Sequence, residues 1–362
     1  VIPELRSAYN TAFSEEKYAG YRQRLQELSG MEIPFRLAES PVFLPRDLLE
    51  EMLDASFEIY RQLSTPAALE RSRAAVPERF RVPDCDELPL FASTDFAVVE
   101  EGGRLAPRLI ELQAFPTLYA FQMVQSEELR WLCPGGETLE YLLSGLDKVG
   151  YHRLLGDAIL GGHAPENVVL LDIDPATQKT AVDFAFTEEF WGVRAVCATR
   201  LEKRGRELFY DRNGKRTRIL RIYNRLIFDE LEAKGIRLPV PLTEPLDVEW
   251  AGHPDWYFRW SKHSLPTLSH PTVPRAFFLS DMPAPPQDLA NWVLKPLYSF
   301  AGSGVKVDVT REDLAAVPAA ERGNYLLMRK VAYAPALPTT DGNASKVEIR
   351  ILFVWKDGRP VP

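Results

Sequence analysis

Val293-Leu294-Lys295-Pro296-Leu297-Tyr298-Ser299-Phe300-Ala301-Gly302-Ser303-Gly304-Val305 is the stretch on which the reading of the fold turns. An apolar strand that ends in lysine cannot bury the ammonium cheaply without a partner. The loop behind it is made of small residues, whose backbone N–H groups can approach an anion closely. Together they offer a point charge and several amide donors, which is what a nucleoside triphosphate needs. No Gly-Lys-Ser/Thr closes the loop, so it is not a Walker A sequence. A lysine snorkelling at a strand end beside an ordinary hairpin turn has the same pattern, and this segment alone leaves both open.

Working outward, a charged cleft is suggested by Lys346-Val347-Glu348-Ile349-Arg350-Ile351-Leu352. With period two, Lys346, Glu348 and Arg350 share one strand face and Val347, Ile349 and Ile351 the other. A solvated sheet face with cross-strand ion pairs is the plain alternative. Leu326-Leu327-Met328-Arg329-Lys330-Val331 puts another lysine on a second apolar strand. Far upstream, Asp95-Phe96-Ala97-Val98-Val99 and Arg108-Leu109-Ile110-Glu111-Leu112-Gln113 flank a Glu101-Gly102-Gly103 turn, and a hairpin is the economical reading. Glu111 and Gln113 then share a face, with Asp95 on the partner strand. Two carboxylates and an amide oxygen are hard ligands of the kind Mg²⁺ takes alongside substrate phosphates.

The rest of the chain sets these pieces in order. Residues 1–90 read as helical, with Leu49, Met52, Leu53, Phe57, Tyr60 and Leu63 at three-to-four spacing behind an Asp47–Glu50 capping box. Residues 117–150 are helical in period as well. Val168-Val169-Leu170-Leu171 ends in Asp172-Ile173-Asp174-Pro175, as a buried parallel strand does. An amphipathic stretch around Thr180–Trp191 and an apolar strand over 193–198 complete a βαβ pattern. Asn213-Gly214 marks a hairpin between Leu208-Phe209-Tyr210 and Ile219-Leu220-Arg221-Ile222. A strand over 305–309 and a helix from Thr310 follow the lysine loop. We therefore expect an α/β fold in four parts: helical residues 1–90, metal-ligand residues 91–150, a Rossmann-like subdomain at 151–245 and lysine-bearing residues 246–362.

An apolar content of 46% with 26% charged residues is that of a folded chain of 362 residues, long enough for two or three cores. The net charge of -8 argues against a sequence-independent nucleic-acid binder. Cys85, Cys133 and Cys197 are odd in number and lack zinc spacing, which suits a reducing compartment. With no apolar run of bilayer length and no signal peptide, a cytoplasmic protein without a membrane partner is expected. Asp357-Gly358-Arg359-Pro360 is a hairpin signal at the very end, and further chain beyond it is expected.

Taken in order, the pieces resemble the ATP-grasp superfamily, in its circularly permuted branch that includes glutathionylspermidine synthase. That branch brings its metal ligands early, on a strand–turn–strand segment with an Asp and then Glu-x-Asn before a Thr/Pro stretch. Asp95-Phe96-Ala97-Val98 and Ile110-Glu111-Leu112-Gln113-Ala114-Phe115-Pro116-Thr117 match it, and Leu294-Lys295-Pro296 with Gly302-Ser303-Gly304 matches the later lysine strand and flap. Gln113 stands for the usual asparagine, and Ser93 for an arginine two residues before the aspartate. The resemblance implies an ATP- and Mg²⁺-dependent ligase that phosphorylates a carboxylate for attack by an amine. It implies that Asp95, Glu111 and Gln113 hold Mg²⁺. Lys295, Ser299, Gly302, Ser303, Gly304, Lys330, Val331 and Glu348 would contact ATP, and the segment Arg329 to Tyr333 would border the adenine. Arg350 and Lys295 would stabilise the transferring phosphoryl group.

Two other functions fit parts of the sequence. Ser93 and Gln113 suit a catalytically degenerate nucleotide-binding or scaffold protein, and Asp172 with Asp174 suits a metal-dependent sugar-nucleotide transferase. The segment from Trp250 to His263 could line a pocket, but buried aromatic packing is the simpler reading. His253, His263 and His270 show no metal-binding pair with a nearby third ligand.

Overall fold

The strand Phe91–Glu101 is buried from Phe91 to Val99, so it must be covered on both faces and paired on both edges. A computed structural model of the chain, describing residues 1–282, 284–298 and 304–362, shows how this is met. Arg104–Gln113 pairs antiparallel on one edge and Glu348–Lys356 on the other, with Arg359–Val361 beyond it. Residues from the two ends of the reading thus share one sheet. Gly102 and Gly103, at φ 58° and 79°, make the expected tight turn.

One face of this sheet carries Phe96, Val98, Leu109, Leu112, Ile351 and Phe353 into the main core. The helix Arg46–Leu63 covers it with Leu48, Met52, Ala55, Ile59, Tyr60 and Leu63. The buried stripe is rotated from the expected one, and Phe57 lies on its exposed side. The Asp47–Glu50 capping box is corrected too. The helix starts at Arg46 behind Pro45, so Asp47 already lies in the first turn, where its carboxylate accepts from Leu48 N–H. A capping box does form at Thr310 and Asp313, opening the helix Arg311–Ala316.

Val168–Asp172 is the centre of a parallel sheet in the order Arg194–Cys197, Val168–Asp172, Arg221–Asn224, Glu249–Ala251. Val168 to Leu171 are fully buried, which is why that stretch reads as continuously apolar. The helix Ala181–Trp191 makes the crossover between the first two strands in sequence. The Asn213-Gly214 hairpin joins Glu207–Arg212 to Lys215–Ile219, but Arg221 and Ile222 do not continue it. Leu220 N–H turns instead to Asn167 O, and the apolar Ile222 and Tyr223 enter the parallel sheet. The helical period of residues 117–150 is realised only in part. Tyr119–Arg130 and Lys148–Leu160 are separated by a break at Pro134-Gly135-Gly136.

A third sheet has the order Ala276–Phe278, Tyr325–Arg329, Trp292–Pro296, Lys306–Val307. Its Trp292, Leu294 and Leu327 pack with Leu314 of the helix Arg311–Ala316, while Leu326 and Met328 join the main core. Trp256 and Trp260 are fully buried, and Trp260 stacks on Tyr60 at 5.5 Å between ring centres. The aromatic segment is therefore packing. Asp183, fully buried, ties two layers together. It accepts from Ala120 and Phe121 N–H at the start of the helix Tyr119–Arg130, and from Arg225 Nη1 at 3.0 Å. Among the described residues no helix is long and apolar enough to cross a membrane.

Candidate functional site

The register of the central sheet puts Arg350, Asp95 and Glu111 side by side in one row across three strands. Gln113 lies opposite Ser93 in the next row, and Glu348 opposite Ala97 on the other side. Opposed residues in a sheet share a face. The expected charged face is therefore real, and the Asp95 hairpin and the Arg350 strand contribute to it together. A bulge between Asp95 and Phe96 leaves Ile110 as an extra residue in the facing strand. Bulges re-aim the chain locally.

Lys295 meets this face at the bulge. Its Nζ donates to Ile110 O at 3.2 Å, one residue from Glu111. Burial lowers the Lys295 ammonium below the ordinary lysine range, against the pull of Glu111. Lys262 comes from a third direction. Its Nζ lies 3.4 Å from Glu111 Oε1, and the residue is buried. The chain is held there because Ala114 N–H bonds to Trp260 O and Leu109 N–H to Thr272 O, along the outer edge of the Arg104–Gln113 strand. The sequence reading did not single out Lys262. Its signal was a lysine directly after a buried Trp260 and the capping Ser261.

Arg350 grips Asp95 with a two-pronged bond, Nε to Oδ1 at 2.7 Å and Nη2 to Oδ2 at 2.6 Å. These bonds raise the Arg350 guanidinium above its usual range despite desolvation. Tyr333 donates its hydroxyl to Glu348. Burial first, and then this bond, push the Tyr333 phenol well up. The segment carrying Tyr333 crosses the same sheet, through a bridge to Val99 and a bond from Ala334 N–H to Val98 O. Val331 packs there with Ala97, Val99, Ala106 and Ile110.

Not every expected residue comes to this face. Lys330 pairs with Asp308 near the surface. Arg329 shares a face with Trp292, the side opposite Lys295, and pairs with Asp288. Gly304 ends the described part of the hairpin at φ 73°, where a Cβ would stand 3.0 Å from Pro296 Cγ. Ser299, Gly302 and Ser303 lie outside the described residues. Asp172 ends a strand of the parallel sheet, not of this one, and Asp174 lies just beyond it at the turn Pro175–Thr177.

Three cations, Lys262, Lys295 and Arg350, thus face three carboxylates, Asp95, Glu111 and Glu348. Glu111 and Gln113 offer hard oxygens two residues apart on one half-buried face, and this donor set fits Mg²⁺. Asp95 has both oxygens on Arg350 and would reach a metal only by giving up that pair. A concavity of about 800 Å³, between the helix Pro3–Ala12 and Pro134, is lined by none of these charges.

No family model matches the chain, and no curated protein matches it. Among solved structures it is similar to a glutathione synthetase-like effector (GSS30) from Globodera pallida, in its apo form. The match has a TM-score of 0.55 and covers 96% of this chain and 85% of that one, at 13% identity. At that identity the likeness speaks to fold alone. The chain has the overall fold of that glutathione synthetase-like protein.

Proposed function

We propose that this chain is an ATP- and Mg²⁺-dependent ligase of the circularly permuted ATP-grasp type, joining a carboxylate to an amine. The observation that carries the reading is the meeting of Lys295 and Lys262 with the Glu111 strand. Two stretches far apart in sequence, one bringing oxygen ligands and one bringing cations, meet at one sheet face. Glu111 and Gln113 would hold Mg²⁺, with Asp95 joining if Arg350 releases it. Mg²⁺ would supply charge neutralisation on the phosphates.

The chain's own groups supply the rest. Lys295 and Lys262 would pair with phosphate oxygens, and the buried setting makes each such pairing stronger than in water. Arg350, released from Asp95, would face the charge of the transferring phosphoryl group. Val331 and Tyr333 would border the base, with Gly304 at the foot of the flap. The γ-phosphoryl group passes from ATP to the carboxylate oxygen, leaving ADP. The amine then attacks the acyl carbon and expels phosphate, and its proton is lost as the amide forms.

A second reading is favoured by one observation. Asp95 and Arg350 neutralise each other, and Ser93 and Gln113 stand where the resembled branch has arginine and asparagine. A chain locked in that pair would bind nucleotide without turning it over. ADP release measured with Mg-ATP and a panel of carboxylates and amines, against a control without acceptor, separates the two. Acceptor-dependent ADP supports the ligase. Mg-ATP binding by calorimetry with no ADP from any pair supports the binding protein, and no Mg-ATP binding sinks both.

A further inference from the structure

Away from the cleft, Cys85, His253 and Asp255 each offer a ligand atom within 4.8 Å of the others, the one such group among the described residues. They are 168 residues apart at the nearest between Cys85 and His253, so no spacing motif announces them. His253 Nε2 lies 3.0 Å from Pro83 O. A carbonyl only accepts, so Nε2 carries the proton and Nδ1 keeps the lone pair. Metal-binding histidines are fixed in this way, with the far N–H on a backbone carbonyl. Nδ1 lies 3.9 Å from Asp255 Oδ1 and accepts from Asp255 N–H at 3.2 Å, a bond that a metal on Nδ1 would displace. Asp255 Oδ1 in turn accepts from Val82 N–H at 3.0 Å.

Cys85 Sγ accepts from Arg259 Nη1 at 3.2 Å. The guanidinium is itself fixed by Ser72 Oγ and Leu69 O and lies over the Trp256 ring. A coordinated thiolate keeps such a donor, and the bond offsets its charge. Cys85 and Asp255 line a cavity of about 570 Å³ with Glu70, Arg73, Arg81 and Arg259, which gives an ion and a water a way in.

We propose that Cys85, His253 and Asp255 form a site for a thiophilic divalent cation of the zinc type, with a fourth position open to water from this cavity. One sulfur, one imidazole nitrogen and one carboxylate oxygen suit zinc better than Mg²⁺ or Ca²⁺. Zinc bond lengths set donor separations of roughly 3.3–3.6 Å, so side-chain closure of about 1 Å completes the site. Binding expels the Cys85 proton to solvent. It would pin the proline-punctuated segment around Val82 to Cys85 onto the helix Trp256–Arg259. The proposal does not rest on the ATP reading.

The test titrates the chelator-treated 362-residue chain with Co²⁺, read by thiolate-to-cobalt absorption, and then with Zn²⁺ in competition. A single equivalent with a thiolate band is expected, displaced by Zn²⁺. Cys133→Ser should keep the band. Cys85→Ser should lose it, and His253→Gln should weaken binding at least about tenfold. In wild type, Zn²⁺ should protect Cys85, but not Cys197, from alkylation mapped by mass spectrometry, a readout that needs no variant to fold. Absence of a thiolate band, or equal alkylation of Cys85 with and without Zn²⁺, overturns the site.

Discussion

Lys295 Nζ reaches the carbonyl of Ile110 across 185 positions of sequence, at 3.2 Å, and in doing so joins the lysine-bearing sheet to the sheet of carboxylates. The ammonium is buried beside Glu111, and burial lowers its affinity for a proton. It is held there at a cost, which a bound phosphate would offset. Lys295→Met keeps the length and apolar stem but removes the charge. Mg-ATP affinity by calorimetry should fall by about 10- to 100-fold, the scale of one charge-assisted contact. The melting temperature should hold or rise, because a desolvated charge is gone. Unchanged affinity would remove Lys295 from the phosphate site.

Glu111 sits between Lys262 and the space that Gln113 also faces. Its side chain is one-third exposed, but Lys262 is buried, so removing the carboxylate charge costs more than breaking a surface pair. Glu111→Gln should therefore cost about 1–3 kcal/mol in urea unfolding while leaving the chain folded. Metal-dependent ADP release should drop by at least about 100-fold if Glu111 is a needed ligand. Full retained turnover across a Mg²⁺ titration would exclude that role.

How far could this have been read from sequence? The charged face of Glu348 and Arg350 was legible, because period two is imposed by the strand itself. The hairpin at Gly102-Gly103 and the parallel strand at Val168 were legible for the same local reasons. The Asp95–Arg350 pair was not. It depends on the register between strands 255 residues apart, which no local pattern encodes. Lys262 was hidden because its neighbours Trp256 and Trp260 read as packing, and they are packing. The end of the Lys215–Ile219 strand was misplaced because Ile219 to Ile222 is equally apolar on both sides of a break. Only the competing parallel sheet decides where it falls.

The Asp95–Arg350 pair makes a sharper test of whether this cleft is locked or poised. Asp95 is 7% exposed, so Arg350→Met leaves a buried carboxylate without its main partner. A loss of about 2–4 kcal/mol in urea unfolding is expected. Asp95→Asn should cost less, and the double variant less than the sum, giving a coupling of about 1–3 kcal/mol. Additive effects would mean that the pair contributes nothing. If saturating Mg-ATP also reduces the coupling, Arg350 has left Asp95 on binding, as the ligase reading requires.

Asp183 should matter for folding and not for chemistry. Its carboxylate satisfies Ala120 N–H, Phe121 N–H and the buried Arg225 at once. Asp183→Ala strands all three and should destabilise by about 3–5 kcal/mol. Asp183→Asn keeps an acceptor for the helix start but loses the charge for Arg225, and should fall between. Equal stability of the alanine variant and wild type would show that Arg225 finds another partner.

Asp172 makes stability depend on pH. Burial raises its carboxyl to about 6 from 3.8, partly countered by the bond from Ile173 N–H. The folded chain therefore holds this proton where the unfolded chain has lost it, so stability contributed here falls as pH rises from about 4 to about 6. Above that window the buried charge is carried in full, at a cost of up to about 3 kcal/mol before screening by its partial exposure to water. Asp172→Asn keeps the acceptor for Ile173 and drops the charge. The variant should be the more stable by about 1–3 kcal/mol at pH 8, and the gap should close towards pH 4. Urea unfolding across that range measures it. The same variant weighs the sugar-nucleotide alternative, in which Asp172 would hold a metal and its loss would abolish sugar-nucleotide competition against labelled ATP. A variant less stable than wild type at pH 8 would mean that the carboxylate is doing something there that burial alone does not explain.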